Sequence, residues 1–344
     1  MNTNDKLRVG LIGAGGNTRL RHLPGFRSAG GVEVAAVANR TRSSGEEVAA
    51  EWNIPVVCDD WREILADDSI DAVCIGTWPN LHREATVAAL AAGKHVLCEA
   101  RMARDLAEAR EMCRAAAEHP GLVAQLVPSP FTLGVDAWIA ERLRSGAIGE
   151  PLETRVRVLN GYLCDPRAPM NWRFDHGISG KNTMVLGIYH EAVLRWLDFP
   201  EARVSAAAGW GASARPVAGG GERPTVIPES VQVALRSGEG RRLLYDISQL
   251  QAGEPENTIT IGGREGRLLV DLREGSAALV SNSGLRESVP VGDAWDVEAR
   301  FVRSIREGAP VERTDFTTGL EYMRFTEAVW ESWNTGREVP LAAM

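Results

Sequence analysis

Five short runs in the first 127 residues, LRVGLIG, VEVAAVAN, DAVCIGT, HVLCE and LVAQLV, are apolar almost throughout, and a helical pattern follows each of the first four. A strand without a polar face has to be covered on both sides, which a sheet of alternating antiparallel hairpins seldom achieves and a parallel sheet flanked by helices does. The helical segments fit that arrangement. In DLAEAREMCRAAAEH, residues Leu106, Ala109, Met112, Cys113 and Ala116 fall on one helical face. Right-handed crossovers between such strands give a doubly wound α/β fold of the Rossmann type.

From about residue 150 the period changes. LETRVRV places Leu152, Thr154, Val156 and Val158 on one face, and VQVAL, RLLYDIS and TITIGG alternate likewise, with tight turns such as SGEG and GGREG between runs. That pattern predicts an open, mostly antiparallel sheet covered on one side. Helices are expected around WDVEARFVRSIREG and TTGLEYMRFTEAVWESWNTG, and RPVAGGGERPTVIP, rich in Gly and Pro, reads as a mobile surface loop. The 344 residues suffice for two cores. The expected division is an α/β domain over 1–126 and an α+β domain over 127–344.

Charge and cysteine usage exclude several classes. The formal net charge is −8, and no basic stripe of the kind a nucleic-acid binder carries interrupts it. MNTNDKLRVGLIG runs into a strand without an apolar signal core, and no apolar run reaches membrane-spanning length. The five cysteines form no Cys-x-x-Cys pair, which argues for reduced thiols in a cytoplasmic protein and against structural zinc; no metal site is expected. Three sharper motifs fail: SGKNT lacks the leading glycine of a phosphate loop, HEAVL lacks a second histidine, and Ser179 lacks a nucleophile-elbow frame.

The first strand-to-helix turn, VGLIGAGGNTRLRHLPG, carries Gly13, Gly15 and Gly16, followed by Asn17. Glycines there permit a tight turn and let backbone N–H groups approach a pyrophosphate at a helix N-terminus, so the turn points to dinucleotide binding. The second strand ends at Asn39, where an NAD site usually places a carboxylate on the adenosine ribose. The chain instead reads NRTRSS. Arg40 can meet a 2′-phosphate and stack on adenine while Asn39, Thr41 or Ser43 hydrogen-bonds it, which favours NADP(H) and leaves NAD possible.

Taken together, these segments resemble the glucose-fructose oxidoreductase/inositol dehydrogenase/rhizopine-catabolism (Gfo/Idh/MocA) family over nearly the whole chain. GAGGNTRLRHLPGF is similar to its glycine loop, with one extra residue before the His-Leu-Pro. GTWPNLHREATVAALAAGKHVLCEARMA is similar to its third and fourth strands, GISGKNTMVLGIYHEAVLRWL to its substrate-site helix, and NTGREVPL to its C-terminal ending. The resemblance implies hydride exchange between a nicotinamide and a sugar, polyol or related carbonyl compound, in homodimers or homotetramers formed through the outer sheet face. It further implies that Glu99 lies near the nicotinamide ribose and that Thr77 and His82 line the cofactor cleft.

Two departures bear on chemistry. The family's Glu-Lys-Pro is here Glu99-Ala100-Arg101, and Leu186 stands where the family has an aspartate four residues before His190. His190 is then the first candidate acid/base, its alternative being a satisfied core histidine. Arg101 can polarise a substrate oxygen or simply close a surface turn. Lys181, read as the start of the helix that carries His190, can reach the cleft or be solvated. Asn182 is a candidate substrate hydrogen-bond partner. Trp172 and Arg173 suit stacking on a sugar and recognition of hydroxyl or carboxylate groups, or serve as packing and a surface ion pair. Two other activities share these residues: a lyase or hydrolase that retains its cofactor and oxidises transiently, and a cofactor-binding sensor without turnover.

Overall fold

The computed structural model describes residues 6–344, which divide into two compact units. The first comprises residues up to Pro128 together with Trp295–Glu321; the second comprises Ser129–Ala294 with Tyr322–Met344. Residues 295–321, assigned by the sequence pattern to the second domain, thus belong to the first unit.

The first unit is a six-stranded sheet of β1 (Leu7–Ile12), β2 (Val32–Ala38), β3 (Val56–Cys58), β4 (Ala72–Ile75), β5 (His95–Cys98) and β6 (Ala124–Leu126). All neighbours are parallel, in the order β3-β2-β1-β4-β5-β6. The helices are α1 (Leu23–Ala29), α2 (Arg42–Trp52), α3 (Trp61–Ala66), α4 (Pro79–Ala91) and α5 (Leu106–Glu118), and a π-helical turn, Thr18–His22, leads into α1. Caps fix where they begin. Thr41 accepts the Ser44 N–H at the start of α2, Asp60 and Glu63 form a capping box on α3, and Asp105 accepts the Glu108 N–H on α5. β3, absent from the sequence reading, has three residues, too few for a period to show.

The second unit contains α6 (Asp136–Arg144), β7 (Pro151–Leu159), α7 (His176–Ser179), α8 (Leu186–Leu194) and β8 (Arg203–Gly209). It continues with β9 (Ala214–Pro216), β10 (Glu222–Pro224), β11 (Ser230–Arg236), β12 (Arg242–Ser248) and β13 (Glu256–Gly263). The strands β14 (Gly266–Asp271), β15 (Ser276–Ser281) and β16 (Gly284–Pro290) follow. The chain then forms α9 (Val297–Glu307) in the first unit, α10 (Phe316–Thr335), which passes into the second unit at Tyr322, and β17 (Val339–Pro340).

Nine strands make an open sheet in the order β16-β15-β14-β13-β7-β12-β11-β8-β17. It is antiparallel except at its centre, where β7 pairs with β12 in parallel. β11 shows the expected alternation: Val231, Val233 and Leu235 are buried while Gln232, Ala234 and Arg236 are exposed. The buried face packs on Leu186, Val193, Phe325 and Val329 of α8 and α10.

The Gly- and Pro-rich stretch forms a hairpin, β9 pairing with β10, rather than a structureless loop. Gly219, Gly220 and Gly221, all at positive φ, make its tip, and its base is pinned by Arg215, which is fully buried. No helix among the described residues is long and apolar enough to cross a membrane.

Candidate active site

In the first unit the chain leaves β1 at Gly13, whose φ is +85°. A Cβ there would sit 2.6 Å from Thr77 Cγ2 and 3.0 Å from its amide nitrogen, so only glycine lets the β1 turn pass the β4 turn. A Cβ on Gly16 would meet nothing within 4 Å, and one on Gly15 only the Gly76 carbonyl at 4.0 Å. These two glycines leave the backbone open where the helical turn starts, the cradle a pyrophosphate needs.

The edge at β2 is built around Asn39. Its Oδ1 accepts the Ala14 N–H (2.6 Å) and its amide donates to the Ser44 carbonyl (3.0 Å), which ties the glycine turn to the start of α2. Arg40 is exposed, its guanidinium 5.5 Å from the Trp78 ring centroid. Ser43, the second residue of α2, is exposed, and Arg42 is engaged with Glu46 and Asp59.

At the end of β5, Glu99 is the focus of a charged cluster. The buried His22 ring stands 2.9 Å from Glu99 Oε1 through Nε2 and 2.5 Å from Glu298 Oε1 through Nδ1. The Asn17 amide donates to Glu99 Oε1, the Ala100 N–H lies 3.1 Å from Glu99 Oε2, and the Trp295 indole donates to Glu298 Oε2 (2.8 Å). Burial alone pushes the His22 pKa down, but bonds to two carboxylates outweigh it and raise it to about 9. Burial also works against the Glu99 carboxylate, and the His22 hydrogen bond and charge hold its pKa below the ordinary value. The sequence reading placed Glu99 here and gave His22 no role; Glu298, 276 positions away from His22, left no local signal.

His82 is wholly buried, with Nδ1 2.8 Å from the Arg101 carbonyl and Nε2 3.1 Å from the Thr77 carbonyl. Burial lowers its pKa despite those carbonyls. It fixes two turns to each other and offers no exposed edge to a ligand. Thr77, half-buried, abuts Gly13. Arg101 is likewise buried rather than at the surface, and the Ala100–Arg101 peptide is cis.

In the second unit the segment that carries His190 is not one helix. α7 ends at Gly180, and Gly180 and Met184, both at positive φ, separate it from α8, so Lys181 and Asn182 lie in a turn ahead of α8. Lys181 pairs with Glu327 of α10. Asn182 is buried, its amide donating to the Ser179 carbonyl (2.7 Å). The Arg173 guanidinium, exposed, lies 4.4 Å from the Trp172 ring centroid.

His190 is buried, stacked on Phe325 at a centroid distance of 3.8 Å, with Nδ1 2.8 Å from the Tyr245 hydroxyl. Burial drives its pKa down to about 3, so the ring is neutral over the physiological range and does not have the solution value near 6.5. Tyr245 and Phe325, its two partners, carry no sequence motif. Tyr189 turns away from it and bonds Asn257 (2.6 Å). Among the described residues no group of His, Cys, Asp and Glu is arranged to hold a metal ion.

Comparison with known proteins agrees with this architecture. The family profile described as "Oxidoreductase family, NAD-binding Rossmann fold" matches residues 7–125, and that of the "GFO/IDH/MocA C-terminal domain" matches residues 137–269. Levoglucosan dehydrogenase of Pseudarthrobacter phenanthrenivorans is 26% identical over 325 residues, 88% of this chain and 80% of that protein. The 1,5-anhydro-D-fructose reductase of Ensifer adhaerens is 33% identical over 185 residues, 54% of each chain. A solved levoglucosan dehydrogenase in complex with NADH and L-sorbose superposes with a TM-score of 0.87 at 23% identity, covering 98% of this chain and 99% of that one; at this identity the likeness speaks for the fold. With both profiles matched in order, one in the Rossmann unit and one in the open-sheet unit, the chain belongs to the Gfo/Idh/MocA oxidoreductase family.

Proposed function

We propose that the protein is an NADP(H)-dependent oxidoreductase that moves a hydride between the nicotinamide and a carbinol or carbonyl carbon of a sugar- or polyol-like substrate. The observation that carries the coenzyme choice is the acid-free end of β2. Asn39 is committed to the glycine turn and α2, and the next side chain is the exposed cation Arg40. A carboxylate at Asn39 would repel a 2′-phosphate, whereas Arg40 attracts it. Gly13, Gly15, Gly16 and Asn17 would hold the pyrophosphate end, Arg40 and Ser43 the 2′-phosphate, and Glu99 the nicotinamide ribose. When bound, the nicotinamide supplies or accepts the hydride.

The chain's own residues handle the proton and the substrate. His190 would take the hydroxyl proton in oxidation and return it in reduction, replacing the lysine that Ala100 lacks. Lys181, braced by Glu327, and Arg101 would act on substrate oxygens, with Asn182 shaping the turn that carries Lys181. Trp172 offers an aromatic face for an aliphatic sugar face, and Arg173 beside it offers donors for hydroxyl or carboxylate oxygens. Support for a carbohydrate-like substrate comes from relatives named for levoglucosan and 1,5-anhydro-D-fructose. We further propose a cytoplasmic homo-oligomer built on the outer face of the nine-stranded sheet, where Arg157 pairs with Glu256 and Arg242 with Glu153 in exposed ladders.

Fluorescence titration tests the coenzyme choice. NADPH is expected to bind at least about tenfold more tightly than NADH, and Arg40→Ala to remove most of that difference while leaving NADH unchanged, in line with one charge-assisted contact. NADH binding as tightly as NADPH in the unaltered protein would sink the preference.

A further inference from the structure

We propose that Glu298, acting through His22, positions Glu99 as the coenzyme's ribose acceptor, so that a segment nearly 300 residues along the chain sets the affinity of the nucleotide site. The inference rests on the coenzyme reading above and goes beyond it by assigning two positioning residues. Carboxylates only accept hydrogen bonds. A ring with both nitrogens on carboxylate oxygens, Glu99 on one side and Glu298 on the other, therefore donates from both. That state is an imidazolium, held in a place with no exposure of its own.

The rest of the cluster is shaped to keep it there. Gly25 of α1 admits Glu298: a Cβ at Gly25 would fall 2.0 Å from Glu298 Oε2. Trp295 donates to that same oxygen, and its ring lies 5.8 Å from the His22 ring. Asn17, in the glycine turn itself, donates to the same Glu99 oxygen as His22. The titratable and charged groups facing His22 are thus Glu99 from the end of β5 and Glu298 from α9, with the Cys74 thiol of β4 near both carboxylates. Arg21 lies over the far partner, Trp295.

The consequence for binding is electrostatic and geometric. Glu99 alone would place a full negative charge beside an anionic dinucleotide; His22 offsets it while leaving a carboxylate oxygen, partly exposed, to accept a ribose hydroxyl. Orientation follows too, because His22 and Asn17 fix one oxygen and the Ala100 N–H approaches the other. Glu298 touches neither Glu99 nor the glycine turn in these contacts. The hydrogen bonds that link it to Glu99 run through the ring.

The test uses the full-length protein with 15N-labelled imidazoles, alongside NADPH and NADH titrations at about pH 6 and about pH 8.5, each expressed relative to the unaltered protein at the same pH. In the unaltered protein His22 should stay doubly protonated to beyond about pH 8. Glu298→Gln should lower that titration by at least about one unit and weaken both coenzymes roughly tenfold at the higher pH, with little change at the lower one. His22→Gln should weaken them at both. A merely structural role would not produce the pH-dependent split. A His22 ring in the unaltered protein that titrates near about 6.5, or Glu298→Gln binding that tracks the unaltered protein at both pH values, overturns the proposal alone. An unaltered protein that binds neither coenzyme overturns it together with the coenzyme reading.

Discussion

Glu229→Gln is expected to cost about 3–5 kcal/mol of stability, read as a lower urea midpoint at an unchanged slope. Arg215 and Glu229 have no exposed side-chain surface. The guanidinium donates from Nε and Nη2 to Glu229, from Nη1 to the carbonyls of Asp165 (2.9 Å) and Ala168 (3.3 Å), and from Nη2 to that of Leu163 (2.8 Å). Glu229 Oε2 also accepts the Gly211 N–H (2.8 Å). Neutralising the carboxylate leaves the cation buried without a countercharge, which costs far more than an exposed pair is worth. Domains of ordinary stability hold about 5–15 kcal/mol, so this loss is a large fraction. The double variant Arg215→Met with Glu229→Leu removes both charges at similar volume and is expected to recover most of it, though not the anchoring of Leu163–Ala168. A loss below about 1 kcal/mol in Glu229→Gln would mean the pair is solvated.

That anchor also bears on function, because the stretch it holds runs directly into Trp172 and Arg173. The Met170 N–H bonds the Pro216 carbonyl, next to Arg215. The substrate contacts proposed for this segment would therefore be coupled to a buried ion pair in a hairpin that composition alone marks as a loop. A charged residue in a Gly- and Pro-rich stretch reads as solvated, and nothing local says otherwise.

The same contrast runs through the molecule. β1, β2, β4 and β5 were legible because a strand buried on both faces has to be apolar throughout, and the glycine turn because Gly13 cannot carry a Cβ. Alternation along β7 and β12 tells which face is buried but not which neighbour a strand takes, so their parallel pairing was hidden. The return of Trp295–Glu321 to the first unit was hidden for a related reason. α9 has an apolar face that would suit either core; in the fold Val297, Phe301 and Val302 pack with Leu23 and Phe26, and Glu298 fits over Gly25 and against His22. In the segment before His190, positive φ at Met184 is not a preference that methionine advertises, so one helix was expected where a turn stands.

The second large effect concerns His190. Its replacement by alanine is expected to lower turnover by about 10²- to 10⁴-fold, the span typical of a lost proton carrier, with coenzyme affinity retained. The neutral ring is what proton acceptance in oxidation requires, and the Tyr245 hydroxyl on Nδ1 sets its tautomer. If Nδ1–H donates to the Tyr245 oxygen, Nε2 is free to accept a proton from a substrate hydroxyl. Reduction runs that step backwards: the imidazolium, with Nδ1–H on the Tyr245 oxygen, gives its Nε2 proton to the substrate oxygen and returns to the neutral ring. Oxidation and reduction thus share one Nδ1 hydrogen bond and differ by one proton on Nε2. Tyr245→Phe leaves the Phe325 stack in place and is expected to cost roughly tenfold, the worth of one neutral hydrogen bond.

Burial sets the pH signature. With the pKa down to about 3, the rate should show no limb from this ring near about 6.5. The unfolded chain takes up the proton first as pH falls below about 6.5, so the ring withdraws stability progressively on the acid side until pH reaches its folded value. Melting curves of His190→Ala should accordingly be flatter over that window than those of the unaltered protein. A rate limb near 6.5 that vanishes in His190→Ala would mean the ring is solvated during turnover. Turnover within severalfold of the unaltered protein would move the proton carrier elsewhere, and Lys181, braced by Glu327 in the turn before α8, is the residue that argument reaches next.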